Sequence, residues 1–143
     1  MNATATAAAT ATVFVWLGMV LAISFLEAPL KFRAPGVTIP IGLGIGRIVF
    51  RALNRVEVAL ALVTLAAIAV ERPSGAAIGL TAGIVIVLAA QLTVVRPQLN
   101  RRSDRVLAGE KLPRSTVHVY YVGLEAAKVI ALVALGTYLL TSG

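Results

Sequence analysis

Four long apolar stretches, separated by short polar segments, dominate the pattern of hydrophobic and polar positions along the chain. They cover approximately residues 11–30, 41–70, 76–95 and 116–140. As a helix rising about 1.5 Å per residue, each is long enough to cross a hydrocarbon core about 30 Å thick. The pattern predicts an all-α fold, an integral membrane four-helix bundle, with one transmembrane domain over residues 1–143.

Prolines, glycines and charges mark where these stretches end. The segment from Lys31 to Pro40 contains Gly36 between two prolines and is predicted to be a loop. The five residues from Glu71 to Gly75 predict a tight turn, which makes the second and third helices antiparallel neighbours. The basic segment from Arg96 to Ser115 is predicted to be a longer loop. Trp16 is predicted at the outer membrane interface, where aromatic side chains are enriched.

Composition supports a membrane location. The chain is 59% hydrophobic and only 13% charged, and its mean hydropathy is +0.92. Soluble domains carry about 25% charged residues, and a fold of this size has too small a core to bury so much apolar surface. No basic segment precedes the first apolar stretch, so we expect that stretch to be a permanent helix rather than a cleaved signal peptide.

The distribution of Lys and Arg predicts the orientation. Eleven Lys and Arg residues lie in the first connection, taken to extend to Arg55, and in the third connection. The second connection has Arg72 alone. Because cytoplasmic loops of membrane proteins are enriched in Lys and Arg, we expect the basic loops to be cytoplasmic and both termini to lie outside. The predicted location is the bacterial cytoplasmic (inner) membrane, crossed by several helices.

The net charge of +7 bears on the partners. A basic soluble protein would be expected to bind nucleic acid, but here the charges concentrate in loops beside a membrane. Membrane lipids, with anionic headgroups at the basic loops, are therefore the predicted partners, and no nucleic acid is expected. A homo-oligomer or a larger membrane complex is compatible with the sequence.

A polar stripe runs along the fourth predicted helix. His118, Tyr121, Glu125 and Lys128 follow one another at spacings of 3, 4 and 3 residues, which places them on one helix face. Lys128 falls near the middle of the membrane, where an unpaired ammonium costs at least about 2.5–3.5 kcal/mol, and Glu125 is one turn away and can pair with it. The stripe is interpreted either as an internal ion pair that joins helices, or as a proton or ion relay in which Glu125 titrates and His118 receives protons from the cytoplasm.

A second polar cluster is predicted toward the cytoplasmic side. Its members come from the first three helices: Glu27, Arg47, Arg51, Asn54, Glu57 and Gln91. We expect them to lie at similar depth, which makes a binding site possible, although the interfacial ends of membrane helices are commonly polar. The alternating Gly42, Gly44 and Gly46 are expected to permit either a close approach of helices or a flexible entry to the second helix, and Gly79 and Gly83 match a small-xxx-small packing pattern.

Sites of other kinds are not expected. The chain has one histidine and no cysteine, so the sequence predicts no metal site. No pairing of a nucleophile with a base stands out, and no cofactor is expected.

Several motifs, in order, resemble a family of small bacterial four-helix membrane proteins that has no assigned function. This family is related to the domain of a eukaryotic transmembrane protein linked to platinum-drug resistance. The motifs are Trp16-Leu17-Gly18, Glu27-Ala28-Pro29-Leu30-Lys31-Phe32, Gly46-Arg47 followed by Phe50, Gln91-Leu92-Thr93 before Arg96-Pro97-Gln98-Leu99, Arg105 before Gly109, and the stripe of the fourth helix. The resemblance implies a fold and a membrane location, and no mechanism.

A second resemblance is confined to the second helix. Arg51-Ala52-Leu53-Asn54-Arg55-Val56-Glu57 is similar to a segment of the membrane-bound enzymes of eicosanoid and glutathione metabolism. The gap between Arg51 and Asn54 is one residue shorter than in those enzymes, which rotates Asn54 by about 100°. This resemblance implies, as the alternative function, a membrane-bound glutathione-dependent transferase. The principal prediction is a protein without enzymatic activity, either a small transporter-like bundle or an accessory subunit of a larger membrane complex.

Overall fold

The structure, a computed structural model, describes residues 3–71, 74–111 and 116–141. Four long helices make up nearly all of these ranges: α1 (Ala3–Arg33), α2 (Ile39–Glu71), α3 (Gly75–Leu107) and α4 (Thr116–Thr141). All four are long and apolar enough to cross a membrane. The predicted all-helical fold, with four helices able to span a membrane, is therefore confirmed.

The first helix begins earlier than predicted, at Ala3 instead of residue 11. Alanine is the strongest helix former, and the hydroxyls of Thr10 and Thr12 donate to backbone carbonyls four residues earlier at 2.7 Å. The polar threonines are thus satisfied within the helix itself. The added turns place Trp16 inside the bundle, where it is 1% exposed, and its predicted position at the outer interface is wrong.

The third helix continues far beyond the predicted boundary at Val95. Arg96–Leu107 is helical, so the prediction of a loop from Arg96 to Ser115 is wrong over this part. Charge alone does not prevent a helix outside the hydrocarbon core, and Leu99, Ser103 and Val106 give this extension an inward face at helical spacing. The helix ends where Gly109 adopts φ +96°, a conformation that favours glycine. Residues 112–115, including Arg114 and Ser115, lie outside the described residues.

The other two connections are short. Because Lys31–Arg33 is helical and α2 begins at Ile39, the predicted loop narrows to residues 34–38, where Gly36 has φ +81°. At the opposite end, Ser74 caps α3 by accepting a hydrogen bond from the amide of Ala77 at 3.3 Å. Of the predicted turn, Arg72 and Pro73 lie outside the described residues.

The first helix lies between α2 and α4, and α4 also packs against α3. We call the end with loop 34–38 the basic end, because Lys31, Arg33 and the charged extension of α3 lie there, and the other the terminal end. An apolar core fills the terminal half with side chains of all four helices, among them Val13, Ile68, Ile84 and Leu132. The residues that could carry chemistry lie between this core and the basic end.

Two helices widen at the same depth. Leu21–Glu27 of α1 and Gln91–Val95 of α3 are π-helical, and Pro29 and Pro97 follow in the next turn. Proline lacks an amide hydrogen and crowds the carbonyl four residues earlier, so a wider turn before it relieves the conflict. Short π segments are frequent at functional sites.

Glycines permit close packing at some of the predicted positions. A Cβ added at Gly42 would lie 2.2 Å from the Phe32 ring, and one at Gly46 would lie 2.8 Å from the amine of Lys31. These two glycines therefore let the end of α1 approach α2, as predicted. At Gly44, Gly79 and Gly83 an added Cβ would meet no described atom within 4 Å, so no close approach within the chain depends on them.

Candidate functional site

Three ionisable side chains meet in the interior of the bundle. The amine of Lys128 on α4 lies 2.6 Å from a carboxylate oxygen of Glu125, one turn away, and 2.6 Å from a carboxylate oxygen of Glu57 on α2. The side chains of Lys128 and Glu57 are 0% exposed, and that of Glu125 is 1% exposed. The predicted pair of Glu125 with Lys128 is present, and a second buried carboxylate makes it a triad.

The side-chain amide of Gln91 on α3 ties this triad together. Its nitrogen donates to Glu125 at 2.9 Å, and its oxygen accepts from Lys128 at 2.8 Å. The first helix adds two donors: the indole of Trp16 donates to Glu57 at 2.9 Å, and the hydroxyl of Ser24 donates to Glu125. We call these six residues (Trp16, Ser24, Glu57, Gln91, Glu125 and Lys128) the buried network.

Both π-helical segments serve this network. Ser24 lies within the first segment, and Gln91 begins the second. Each directs its side chain to Glu125 from a different helix. The widened turns and the ionisable cluster therefore coincide in depth.

The sites predicted from sequence are partly brought together. Tyr121, Glu125 and Lys128 share the buried face of α4, whereas His118 is exposed and lines a cavity at the basic end. Two members of the second predicted cluster, Glu57 and Gln91, join Glu125 and Lys128. Sequence reasoning treated these as separate sites because it could not give the helix order.

The other members of the second cluster lie elsewhere. Glu27 is 3.9 Å from Lys31 on the next turn, and Arg47 pairs with Asp104 of the α3 extension. Arg51 is exposed, and together with Asn54 it lines a smaller cavity of about 250 Å³. The predicted single cluster is therefore not one site.

A cavity of about 700 Å³ extends from the basic end to the buried network. Ser24 and Glu125 lie at its inner limit, and aromatic and aliphatic side chains of all four helices form most of its walls. Its ionisable lining is predominantly basic: Lys31, Arg47, Arg96, Arg102, His118 and Glu125. We call it the basic cavity.

Two cations flank one aromatic ring in its wall. The Arg96 guanidinium lies 4.8 Å from the centre of the Phe50 ring and 4.6 Å from that of Tyr121. The Lys31 amine lies 5.8 Å from the same Phe50 ring. The Nε and Nη2 atoms of Arg96 are buried, as is the Tyr121 hydroxyl, and they have no hydrogen-bond partner among the described residues.

The sequence offered only weak signals for the residues that it missed. Trp16 and Ser24 lie eight residues apart on α1, close to two helical turns plus the extra residue of the π segment. That spacing predicts a shared face only if the widened turn is known. Over residues 3–71, 74–111 and 116–141, no three His, Asp or Glu side chains cluster so that they could hold a metal ion.

Comparisons with protein-family models, with curated proteins and with solved structures gave no match for this chain. The family resemblance drawn from its motifs therefore stays a prediction. What the protein does has to be argued from the buried network and the basic cavity.

Proposed function

We propose that this chain is a small, non-enzymatic, transporter-like bundle of the bacterial inner membrane, in which Glu57 and Glu125 bind a proton that is exchanged through the basic cavity. The observation that carries the proposal is the contact of one buried ammonium with two buried carboxylates, at 2.6 Å each. The basic loops face the cytoplasm in this proposal, and both termini face outward.

Charge counting makes the network a proton site. With all three groups ionised, two carboxylates and one ammonium leave one negative charge uncompensated. A buried charge without a counter-charge is costly in a protein interior and in a membrane. One proton on the pair of carboxyls restores neutrality. Among the described residues, Oε2 of Glu57 is buried without a hydrogen-bond partner, whereas both oxygens of Glu125 have partners.

Access to the network is one-sided. Glu125 lines the basic cavity, so water and protons can reach it from the basic end. The terminal half holds the apolar core, with Thr64 and Thr81 as buried polar side chains. This arrangement corresponds to a state open toward one side and closed toward the other, as alternating access requires.

The geometry also supports an exchange of partners. A proton arriving at Glu125 weakens the attraction of that carboxyl for Lys128, whose amine already contacts Glu57. Lys128 then neutralises Glu57 alone, and the network is uncharged in total. Loss of the proton restores the shared arrangement. Gln91 contacts both partners of the Glu125–Lys128 pair and transmits the change to α3.

Orientation is supported by the lengths of the helices as well as by their charges. At about 1.5 Å per residue, the 33 residues of α2 extend about 50 Å, well beyond a hydrocarbon core of about 30 Å. The surplus at the basic end carries Arg47 and Arg51, whose stems can reach headgroups. By the positive-inside rule, the end of the helix with the excess of cationic residues faces the cytoplasm.

The transferase alternative has less support. In that hypothesis Arg51, Asn54 and Glu57 hold glutathione together, but Glu57 is 0% exposed and contacts Trp16 and Lys128. Because this carboxylate is buried and already bonded to these two side chains, it is not available to a ligand beside Arg51. Calorimetry in detergent with millimolar glutathione tests the alternative directly, and measurable binding would favour it.

Proton flux into liposomes tests the proposal. The purified chain is reconstituted around a trapped pH-sensitive dye, and a pH step is applied outside. We expect proton flux above that of empty liposomes, lost in Glu125→Gln and retained in Glu110→Gln, because Glu110 is an exposed partner of Arg105 far from the network. Absence of flux in the native protein would mean that the network only holds the helices together. Co-purification with unlike subunits would then identify an accessory subunit.

A further inference from the structure

We infer that the basic cavity is a binding site for one anionic phospholipid, which enters sideways from the bilayer between α1 and α4. In this assignment the headgroup phosphate lies against Arg96 and Lys31, and the start of an acyl chain leaves the bundle past Phe25 and Val122. The site does not require the network to exchange protons, so it stands or falls separately from the proposed function.

The headgroup end is defined by donors of Arg96 that have no acceptor among the described residues, and by Lys31, whose amine has the Glu27 carboxylate 3.9 Å away. Nε and Nη2 of Arg96 are buried and donate to no acceptor in the described part of the chain. Lys31 is held beside the same Phe50 ring, with 10% of its side chain exposed. A guanidinium and an ammonium that line the same cavity and lie against the same ring can bind one phosphate with charge-assisted hydrogen bonds.

Neighbouring polar groups extend the same surface. The hydroxyl of Tyr121 and that of Ser103, which is 8% exposed, are both buried and without a partner in residues 3–71, 74–111 and 116–141. A buried donor that has no acceptor destabilises the protein. An incoming phosphate or glycerol oxygen would satisfy them, so the cavity gains from being occupied by an oxygen-rich headgroup.

The remaining walls fit an acyl chain rather than a soluble anion. Phe25, Phe32 and Leu43 line the cavity together with Val119 and Val122. A small hydrophilic anion would leave these walls unmatched, whereas an acyl chain that enters from the bilayer finds apolar surroundings there as it does in the membrane. The charge at one end and the apolar surface at the other match an amphiphile.

The opening lies on the side of the bundle. Phe25 on α1 and Val122 on α4 both line the cavity, and both are also exposed on the outer surface, at 41% each. The first part of α1, Ala3–Val20, packs closely along α4, but after the π segment the two helices separate. A lipid can therefore enter from the membrane without passing through an aqueous phase.

Native mass spectrometry of the full chain, stripped of lipid in detergent and titrated with defined lipids, tests the assignment. We expect one dioleoyl phosphatidylglycerol to be retained per chain, at least about tenfold more tightly than dioleoyl phosphatidylcholine, since charged hydrogen bonds are worth about 1.5–3 kcal/mol. Glycerol phosphate, which has the headgroup and no chains, should bind far more weakly. Equal binding of the two lipids, or binding of glycerol phosphate as tight as that of the lipid, would overturn the proposal.

Two pairs of variants locate the site. Arg96→Gln should lower phosphatidylglycerol retention about tenfold, whereas Arg101→Gln, on the same helix but exposed and outside the cavity, should not. Val122→Trp should block the opening with every charge intact. Its matched control, Val133→Trp, alters a valine of α4 that is 45% exposed and far from the cavity. If each control lowers retention as much as its partner, the lipid binds to the general basic surface instead.

A last comparison separates this inference from the proton site. Glu57→Gln removes a carboxyl of the network that does not line the basic cavity. We expect it to abolish proton flux and to leave phosphatidylglycerol retention unchanged. Loss of both would mean that the cavity exists only while the network is intact, and the assignment of an independent lipid site would be wrong.

Discussion

The indole nitrogen of Trp16 lies 2.9 Å from a carboxylate oxygen of Glu57. The single tryptophan of the chain thus gives its one hydrogen bond to an acid that is 0% exposed. This contact joins α1 to α2 at the level of the buried network. The aromatic side chain expected at a membrane surface instead donates a hydrogen bond to a buried carboxylate.

The Trp16–Glu57 contact should be measurable as a coupling energy. Trp16→Phe removes the donor while keeping an aromatic ring, and we expect it to lower the free energy of unfolding by about 1–3 kcal/mol. In a Glu57→Gln background the loss should be smaller, because the acceptor is then no longer charged. Denaturant unfolding of the four members of this cycle, in detergent, gives the coupling. Equal losses in both backgrounds would show that the charge of Glu57 adds nothing to this hydrogen bond.

Removing the ammonium should be the most damaging single change in the network. Lys128→Leu leaves Glu57 and Glu125 buried without a counter-charge, and breaking a buried ion pair typically costs about 3–5 kcal/mol. The triple variant Glu57→Gln, Glu125→Gln, Lys128→Leu removes every charge at once and should recover most of that loss. Thermal unfolding followed by circular dichroism distinguishes these variants.

The double change Glu125→Gln, Lys128→Leu is the informative control for that series. If Lys128 paired with Glu125 alone, this double change would restore stability. The structure expects it to remain destabilised, since Glu57 is still present without its partner. Full recovery in the double variant would show that Glu57 does not depend on Lys128.

Glycine substitutions test the packing of the helices. A Cβ at Gly136 would lie 2.7 Å from the ring of Phe14, so Gly136→Ala must shift this ring or displace α1 from α4, and it should cost about 1–3 kcal/mol. Gly79→Ala meets no described atom within 4 Å and should stabilise the helix by about 0.5–1 kcal/mol. If Gly79→Ala were destabilising instead, or changed the oligomeric state, this face of α3 would be a contact with another chain.

The orientation can be tested with cysteine labelling, because the chain contains no cysteine. Lys111→Cys, exposed at the basic end, and Gly75→Cys, exposed at the terminal end, are single sites for a membrane-impermeant maleimide. In right-side-out vesicles we expect Gly75→Cys to be labelled and Lys111→Cys to react only after the vesicles are opened. The reverse pattern would invert the proposed topology.

The spans and one ion pair could be predicted from sequence because both are local. Apolar runs of membrane length specify four helices directly, and Glu125 and Lys128 share a face of one helix whatever the packing. Glu57 could not be assigned to the same site, because its position beside Lys128 depends on how α2 and α4 are arranged around α1.

Two further errors have physical causes that the sequence conceals. Charge indicated a loop from Arg96 onward, but backbone hydrogen bonding does not depend on the polarity of the side chains, and the helix continues to Leu107. The widened turn that brings Ser24 beneath Glu125 shifts the helical period by one residue, so regular spacing along α1 fails there. Pro29, which follows that turn, is the one visible signal of it, and a proline at such a position is equally typical of a helix end.

The position of Lys128 has a consequence for biogenesis. During synthesis α4 is the last of the four helices to enter the bilayer, and it brings Glu125 and Lys128 with it, each of which costs about 2.5–3.5 kcal/mol when inserted alone. The Glu57 and Gln91 side chains that receive Lys128 are by then already in the membrane. Integration of the final helix is thus coupled to assembly of the first three. A chain truncated before α4 would be left with an uncompensated acid in the lipid, a defect that membrane quality control can recognise.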